Sequence, residues 1–267
     1  MYQFNYKRAS SVADASKAVA SASDGVFLAG GMTLLPTLKQ RLAKPSDVVD
    51  LQGLNDLKGV KEEGGSVVIG AMTRHVDVAK NDIVKKRIPA LAGLAAHIGD
   101  AQVRNRGTIG GSVANNDPAA DYPSACLALG ATIVTSKREI KADDFFTGMF
   151  STALEPGEMV TAVKFPVPQK AAYEKFPNPA SRYAMVGVFV AQAGGATRVA
   201  VTGAGQDGVF RHKGLEDALG KSLTKDAAMK VAVSADGLNS DIHASAEYRA
   251  HLIKVMAGRA AEKAAKS

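Results

Sequence analysis

The apolar and polar positions at the start of the chain predict a small unit of alternating strands and helices. Apolar residues recurring at helical spacing predict a helix over 11–22, and short apolar runs predict strands at 26–28 and 48–51. A helix over 33–42 separates those two strands. The order strand, helix, strand predicts a βαβ unit with a glycine turn at the carboxyl end of its first strand.

The pattern then changes twice along the chain. A hairpin around Gly64-Gly65, several short helices and two strands are predicted up to Pro166, and the helices and strands are 73–80, 89–98, 122–129, 131–135 and 159–165. After Pro168 come long strands at 173–176, 183–192 and 197–202, and then helices at 215–219, 225–235 and 246–263. We therefore predict a mixed α/β and α+β fold with domains at 1–57, 58–168 and 172–267, the last being a three-stranded antiparallel sheet with helices.

One stretch, residues 102–123, fits neither the period of a helix nor that of a strand, so we predict a long ordered loop. At its centre, Thr108-Ile109-Gly110-Gly111-Ser112 puts two glycines between two hydroxyls. Glycine permits positive φ and has no Cβ, so backbone N–H groups can gather around an anion there. The hydroxyls can add further donors.

A second glycine pair lies in Ala29-Gly30-Gly31-Met32-Thr33-Leu34-Leu35-Pro36, after a short apolar strand. We predict a tight turn and a helix start, with Thr33 as the N-cap and Pro36 in the first turn. The start of a helix after a glycine turn favours phosphate binding. Two such segments predict a ligand with two phosphates, a dinucleotide.

The cysteine and histidine content argues against several kinds of site. Cys126 is the only cysteine of the chain and lies in an apolar helical run, so we expect a buried inert thiol, and neither a disulfide nor an iron–sulfur cluster can form within the chain. The five histidines show no metal-ligand spacing, so no metal is predicted, and His75 and His97 are expected in structural or surface roles, although His97 is near the central loop.

Charge and hydropathy bear on partners and compartment. The net charge is +7, but the basic residues are dispersed and not interleaved with aromatic ones, so we expect a solvated surface or docking to an acidic subunit and no nucleic acid. No apolar run is long enough for a membrane span and the first ten residues lack a signal-peptide core, so the cytoplasm is the expected compartment.

The sequence Gly203-Ala204-Gly205-Gln206-Asp207-Gly208 imitates the nicotinamide-dinucleotide fingerprint. That fingerprint must open a helix, whereas Val209-Phe210-Arg211-His212 follows here and is extended in character. We therefore interpret the segment as a turn at the exit of a strand.

Taken together, three segments resemble the FAD-binding subunit of molybdenum hydroxylases, of the xanthine dehydrogenase and aerobic carbon monoxide dehydrogenase type. They are Ala29–Leu34, Arg104–Ser112 and Asp117–Pro123. The resemblance extends over nearly the whole chain, including 152–158 and 246–249. It implies a two-lobed FAD-binding fold of the p-cresol methylhydroxylase type, with the cofactor between the lobes.

The resemblance also assigns residues. The segment 29–36 is expected around the pyrophosphate, Thr108–Ser112 closes from the other lobe, and Asp121 binds the adenosine ribose hydroxyls, unless it only forms an Asx-type turn, while Asp117 braces the loop through Pro118. Val160 is expected to contact the flavin and Lys175 to approach it, where a cation would favour the anionic reduced flavin. The implied FAD contacts are Ala29, Gly30, Gly31, Met32, Thr33, Leu34, Leu35, Ala101, Thr108, Gly110, Gly111, Ser112, Asp121, Val160, Lys175 and Tyr183.

Two of these assignments have a structural alternative. Lys175 is otherwise a surface lysine of a strand. Tyr183 either screens the flavin ring or is a core tyrosine of the sheet.

Because no catalytic pair is visible, the implied function is electron transfer. The chain takes electrons from the [2Fe-2S] clusters of a small subunit, which is fed by a large subunit with a molybdenum–molybdopterin cofactor. FAD passes them to an external acceptor, and the assembly is expected to be a dimer of heterotrimers.

Two alternatives stay open at this stage. One is a self-contained FAD-dependent oxidoreductase of the p-cresol methylhydroxylase or UDP-N-acetylenolpyruvoylglucosamine reductase type. The other is a non-enzymatic basic binding module.

Overall fold

The structure, a computed structural model, describes residues 1–267. The first part of the chain forms a three-stranded parallel sheet in the order β1-β3-β2. Its elements are β1 (Asn5–Arg8), α1 (Val12–Ser21), β2 (Gly25–Leu28), α2 (Leu34–Lys39) and β3 (Asp47–Asp50). The two helices are the crossovers that parallel neighbours require. The strand β1 was not predicted, because all four of its side chains are exposed and they show no apolar pattern.

The second part is a five-stranded antiparallel sheet in the order β4-β5-β10-β6-β7. Six short helices lie between β5 and β6, and a short hairpin lies between β7 and β10. In chain order the elements are β4 (Val60–Glu63), β5 (Ser66–Gly70), α3 (His75–Lys80), α4 (Asp82–Arg87), α5 (Pro89–Ala96), α6 (Ala101–Arg106), α7 (Ile109–Asn115), α8 (Tyr122–Leu129), β6 (Thr132–Thr135), β7 (Glu139–Lys141), α9 (Ala142–Phe145), β8 (Phe146–Gly148), β9 (Ser151–Thr152) and β10 (Val160–Pro166).

The segment 102–123 is not the long loop that we predicted. It contains α7 and most of α6, and it ends in the first turn of α8. Side-chain caps start both short helices, because Asp100 accepts from the N–H of Val103 at 2.9 Å and Thr108 accepts from that of Gly111 at 3.2 Å. The glycines obscured this pattern in the sequence. Only residues 116–121, between α7 and α8, form an irregular loop.

The third part is an antiparallel sheet of four strands, one more than predicted. The strands are β11 (Lys170–Pro177), β12 (Ala184–Ala193), β13 (Ala196–Gly205) and β14 (Gly208–Arg211), and the helices are α10 (Lys213–Lys221), α11 (Lys225–Met229) and α12 (Ala246–Ala265). The additional strand β14 forms because Gly208, with φ +102°, turns the chain back after β13. The sequence that imitated a nucleotide fingerprint is therefore the turn of a hairpin.

The third sheet separates two apolar cores. Tyr173, Phe189 and Ala200 on one face pack in the core of the second part, together with α8, whose side chains are all buried. Val188 and Val201 on the other face pack against α12. Cys126 is fully buried in α8, and burial raises the pKa of its thiol, as expected for an inert cysteine.

No helix of the structure is both long enough and apolar enough to cross a membrane. No cluster of three or more histidine, cysteine or acidic side chains is arranged to bind a metal ion.

Arg249 of α12 holds the third part together from the inside. Its side chain is 3% exposed and donates to the carbonyls of Met185 at 2.6 Å and Gly203 at 3.0 Å. A further bond of 2.7 Å reaches the carboxylate of Asp241. These bonds from the two terminal nitrogens offset the cost of burying the guanidinium, whose Nε has no partner.

We expect Arg249→Met to lower the free energy of unfolding by about 2–4 kcal/mol, because two buried carbonyls lose their donor. Arg259→Met is the matched control, since Arg259 is exposed on the same helix. Its effect should stay within about 0.5 kcal/mol. Urea unfolding of both variants measures the difference, and equal stability of the two would contradict the anchoring role.

His75 at the start of α3 is a buried titratable group. It is 4% exposed, and its ring centroid lies 5.4 Å from that of Tyr122. Burial, with a smaller contribution from the charge of Arg104, lowers the pKa of His75 from 6.5 to about 4. The imidazole is therefore neutral in the folded protein at neutral pH.

We expect His75→Leu to reduce the loss of stability in acid. Between pH 6.5 and about 4 the unfolded chain binds a proton at His75 that the folded chain does not, so stability is full above this window and falls within it as the pH drops. The pKa difference corresponds to at most about 3 kcal/mol. Urea unfolding across the window should show a flatter pH dependence for the variant. His251→Leu, on the exposed surface of α12, should retain the slope of the wild type.

Candidate functional site

A cavity of about 530 Å³ is lined by residues from all three parts of the chain. Residues 25–34 line it from the first part and residues 107–121 and 154–160 from the second. Ser181, Arg182 and Tyr183, in the β11–β12 connection, line it from the third. Both glycine segments singled out in the sequence therefore border the same cavity.

The first glycine segment follows β2 and presents free backbone donors. The N–H groups of Gly31, Met32 and Thr33 have no acceptor within the protein, and these residues line the cavity. Gly31 has φ +76°, so successive N–H groups can turn toward one point, as in an anion-binding nest. Thr33 occupies the N-cap position that we predicted, but its backbone is already helical and its side chain makes no capping bond.

Gly30 has a different role, because it lets the backbones of two segments approach closely. A Cβ on Gly30 would overlap with the backbone carbonyl of Arg106 at the end of α6. This contact brings the first part of the chain against the second, and no other residue type permits it without movement.

The second glycine segment is the first turn of α7. Neither Gly110 nor Gly111 has positive φ, so the conformational freedom of glycine is not used there. Space is the constraint instead, because a Cβ on Gly110 would overlap with Ala71. A Cβ on Gly111 would lie 3.0 Å from the hydroxyl oxygen of Thr108 and 3.4 Å from the Cβ of Ala29. The two glycine segments therefore face each other.

Asp121 lines the cavity from the loop before α8 and carries a buried carboxylate, 4% exposed. The hydroxyl of Tyr173 donates to its Oδ1 at 2.5 Å, and the Nζ of Lys175 lies 2.9 Å from the same atom. Burial raises the pKa of Asp121, while the Lys175 ammonium acts in the opposite direction. Lys175 also donates to the carbonyl of His97 at 2.9 Å. The Lys175 side chain is 7% exposed, so it is not a surface lysine.

Two further side chains complete this side of the cavity. Asp117 accepts from the N–H of Ala119 at 2.8 Å and so braces the loop across Pro118, as expected, and burial raises its pKa. Tyr183 is 47% exposed, which excludes the alternative that it is a core tyrosine of the sheet.

The other predicted contacts divide into two groups. Val160, on β10, lines the cavity, as do Leu34, Thr108 and Ser112. Leu35, Ala101 and Lys175 do not line it. His75 lines the cavity and His97 does not. We had expected His97 to be the nearer of the two.

Several lining residues carry little signal in the sequence. Glu158 is buried and bonds to Thr135, Arg138 and the N–H of Glu155, so it holds the wall near Val160. Tyr173 does not line the cavity but contacts Asp121. The sequence analysis missed it as well, although it lies two residues from Lys175 on one strand. Strand alternation puts such a pair on the same face, and this was the available signal.

Comparison with known proteins agrees with this geometry. The family described as "FAD binding domain in molybdopterin dehydrogenase" matches residues 2–168, more than half of the chain. The glyceraldehyde dehydrogenase medium chain of Sulfolobus acidocaldarius is 38% identical over 273 residues, covering 97% of both chains. The carbon monoxide dehydrogenase medium chain of Hydrogenophaga pseudoflava is 35% identical, covering 97% of this chain and 96% of the other.

The three-dimensional comparison extends to the whole molecule. A chain in the crystal structure of a Cu,Mo-CO dehydrogenase in its cyanide-inactivated form matches with a TM-score of 0.93 at 35% identity, covering 100% of both chains. The predicted fold class, a mixed α and β fold for binding FAD, is confirmed by this match. The chain therefore belongs to the family of FAD-binding domains of molybdopterin dehydrogenases.

Proposed function

We propose that this chain is the FAD-containing electron-transfer subunit of a molybdenum hydroxylase complex. The observation that carries the proposal is the pair of glycine segments that face each other across one cavity. Three unpaired N–H groups at Gly31, Met32 and Thr33 are the donors that a pyrophosphate requires. The family match extends over the same segments.

The residues present fit FAD. We propose that the segments 29–34 and 108–112 hold the pyrophosphate, that Asp121 accepts from the adenosine ribose hydroxyls and that Val160 and Tyr183 contact the flavin ring. Leu35 packs against the first segment, since a Cβ on Gly31 would lie 2.9 Å from the Cδ1 of Leu35. Ala101, at the start of α6, stays a proposed contact. Lys175 acts on the site through Asp121, with which it is paired.

Bound FAD supplies the conversion of single-electron input into two-electron delivery to an acceptor. The chain itself contributes binding and orientation of the cofactor. Its one cysteine is buried, so it has no cluster ligands to offer, and we propose no catalytic acid, base or nucleophile in it. Electrons must therefore arrive from a partner that carries the clusters.

The relatives support a multisubunit assembly over a self-contained flavin enzyme. Their names describe a medium chain of glyceraldehyde dehydrogenase, a medium chain of carbon monoxide dehydrogenase and subunit alpha of a 6-hydroxypseudooxynicotine dehydrogenase complex. We propose a small iron–sulfur subunit and a large molybdenum-containing subunit as partners, a dimer of heterotrimers as the assembly and the cytoplasm as the compartment. Because the named substrates differ among relatives, we assign substrate choice to the large subunit.

We also propose that the domains are 1–57, 58–168 and 172–267. The first two ranges each contain one of the larger sheets, the third contains its sheet except for Lys170 and Ala171 of β11, and the family match ends at residue 168. The second and third domains share an apolar core through α8. We therefore expect these two to unfold together.

Gly111→Val should weaken FAD binding enough for the chain to lose flavin on gel filtration, while leaving the fold intact. The first heavy atom of the new side chain would come close only to the Thr108 hydroxyl and the Ala29 methyl, in the space between the two glycine segments. A steric conflict of about 1–3 kcal/mol predicts a loss of affinity of about tenfold to a hundredfold. Flavin absorbance per chain after gel filtration is the measurement.

Gly93→Val is the matched control, because Gly93 lies on an exposed helix face with open space around it. This variant should stay as yellow as the wild type. A folded Gly111→Val chain with full flavin content would exclude the second glycine segment from the cofactor site.

The FAD-loaded chain alone should not oxidise the substrate of the complex. Titrated anaerobically with carbon monoxide, purines, aldehydes or N-heterocycles, its flavin should stay oxidised, because no cluster or molybdenum site is available to take the first electrons. Addition of the two partner subunits should allow the true substrate to bleach the flavin. Prompt bleaching of the single chain by one of these compounds would favour the self-contained flavin enzyme.

A further inference from the structure

The direction of the Asp121 carboxylate is determined by the third sheet and not by the helix that follows it. Asp121 precedes α8, but its backbone is helical and its side chain makes no capping bond to that helix. The carboxylate points instead toward β11, where Tyr173 and Lys175 lie within hydrogen-bond distance of Oδ1. A rotation of the side chain about χ1 would break both contacts.

The surrounding strands are shaped to leave room for the Tyr173 hydroxyl. A Cβ on Gly187 of the neighbouring strand β12 would overlap with that hydroxyl. Gly187 pairs with Lys175 on one side and with Thr202 of β13 on the other. A glycine in the middle of a strand weakens it, so its presence here marks a close approach.

The strand β13 also binds the backbone of the loop before Asp121. The Thr202 hydroxyl donates its one proton to the carbonyl of Ala120 at 2.6 Å, and its oxygen lies 3.1 Å from the carbonyl oxygen of Pro118. The N–H of Gly203 adds a bond of 2.8 Å to the Pro118 carbonyl. The backbone of the loop is thus fixed by β13, and the carboxylate by β11.

We propose that Tyr173 is a positioning residue of the cofactor site, whose hydroxyl aims the Asp121 carboxylate at the ribose hydroxyls of FAD. Tyr173 does not line the cavity and acts only through Asp121. The inference rests on the proposed function, because it requires that FAD binds at this cavity. It assigns part of the affinity for FAD to the third sheet, outside the 2–168 range of the family match.

Tyr173→Phe tests the proposal, because it removes one hydroxyl and leaves the ring. With one charge-assisted hydrogen bond lost, the dissociation constant for FAD should rise about tenfold. The bond from Tyr173 lowers the pKa of Asp121, so its loss should also move the acid limit of FAD binding to higher pH. The other ionisable groups around this carboxylate, Lys175, His97, Tyr122 and the nearby Tyr183, are unchanged in the variant.

Tyr122→Phe is the matched control. Tyr122 is also fully buried, adjoins Asp121 in sequence and has a hydroxyl without any hydrogen-bond partner. Removal of an unpaired buried hydroxyl should be neutral or stabilising. FAD affinity, its pH dependence and the visible circular dichroism of the bound flavin should equal those of the wild type.

The measurements are flavin fluorescence titrations of the full-length apoprotein across the pH range, with thermal unfolding of each apoprotein. Weaker binding and a shifted acid limit in Tyr173→Phe alone would support the proposal. Wild-type affinity of Tyr173→Phe at every pH would overturn it, as would an equal loss in both variants. Unfolding of the Tyr173→Phe apoprotein would assign the hydroxyl to folding and overturn it too. A wild-type chain without FAD affinity would instead refute the proposed function.

Discussion

A single buried negative charge, the carboxylate of Asp121, determines how the parts of this protein must meet. An ionised carboxylate without partners is costly to bury, and α8 offers it no capping bond. Its partners, Tyr173 and Lys175, come from a strand of the third sheet. The third sheet must therefore dock against the 116–121 loop, where Thr202 and Gly203 also bind the loop backbone. The cavity wall is consequently built only when the third sheet is in place.

A second constraint is the absence of side chains where the first two parts meet. Gly30 lies against the backbone of Arg106 across this junction, at a distance that any Cβ would prevent, and within the second part Gly110 lies as close to Ala71. Of the two glycine pairs, only Gly31 uses positive φ. The sequence suggested both positive φ and the missing Cβ as reasons for glycine, and the missing Cβ, which permits close packing, is the more general one here.

The sequence allowed prediction of those features that depend on local pattern. Long alternating strands, the βαβ unit and the two glycine segments could all be located, because each has a short-range signal. The strand β1 is polar and exposed, α6 and α7 are short, and α7 contains two glycines, so the existence of these elements depends on caps and tertiary contacts. The partnership of Lys175 with Asp121 depends on how β11 docks against the 116–121 loop, which no local pattern specifies. Tyr173 escaped notice although strand alternation puts it on the same face of β11 as Lys175.

The Asp121–Lys175 pair also changes the electrostatic expectation for the cofactor. A lone lysine beside a flavin would favour its anionic reduced form, since an opposite charge stabilises the ionised state. Lys175 is not alone, because its Nζ lies 2.9 Å from a carboxylate oxygen and both side chains are buried. The two opposite charges of the pair nearly cancel. Asp121 lines the cavity, whereas Lys175 does not. The chain therefore uses this lysine to hold a hydrogen-bond acceptor in place more than to supply positive charge, which suits a site whose task is to retain FAD while partners deliver the electrons.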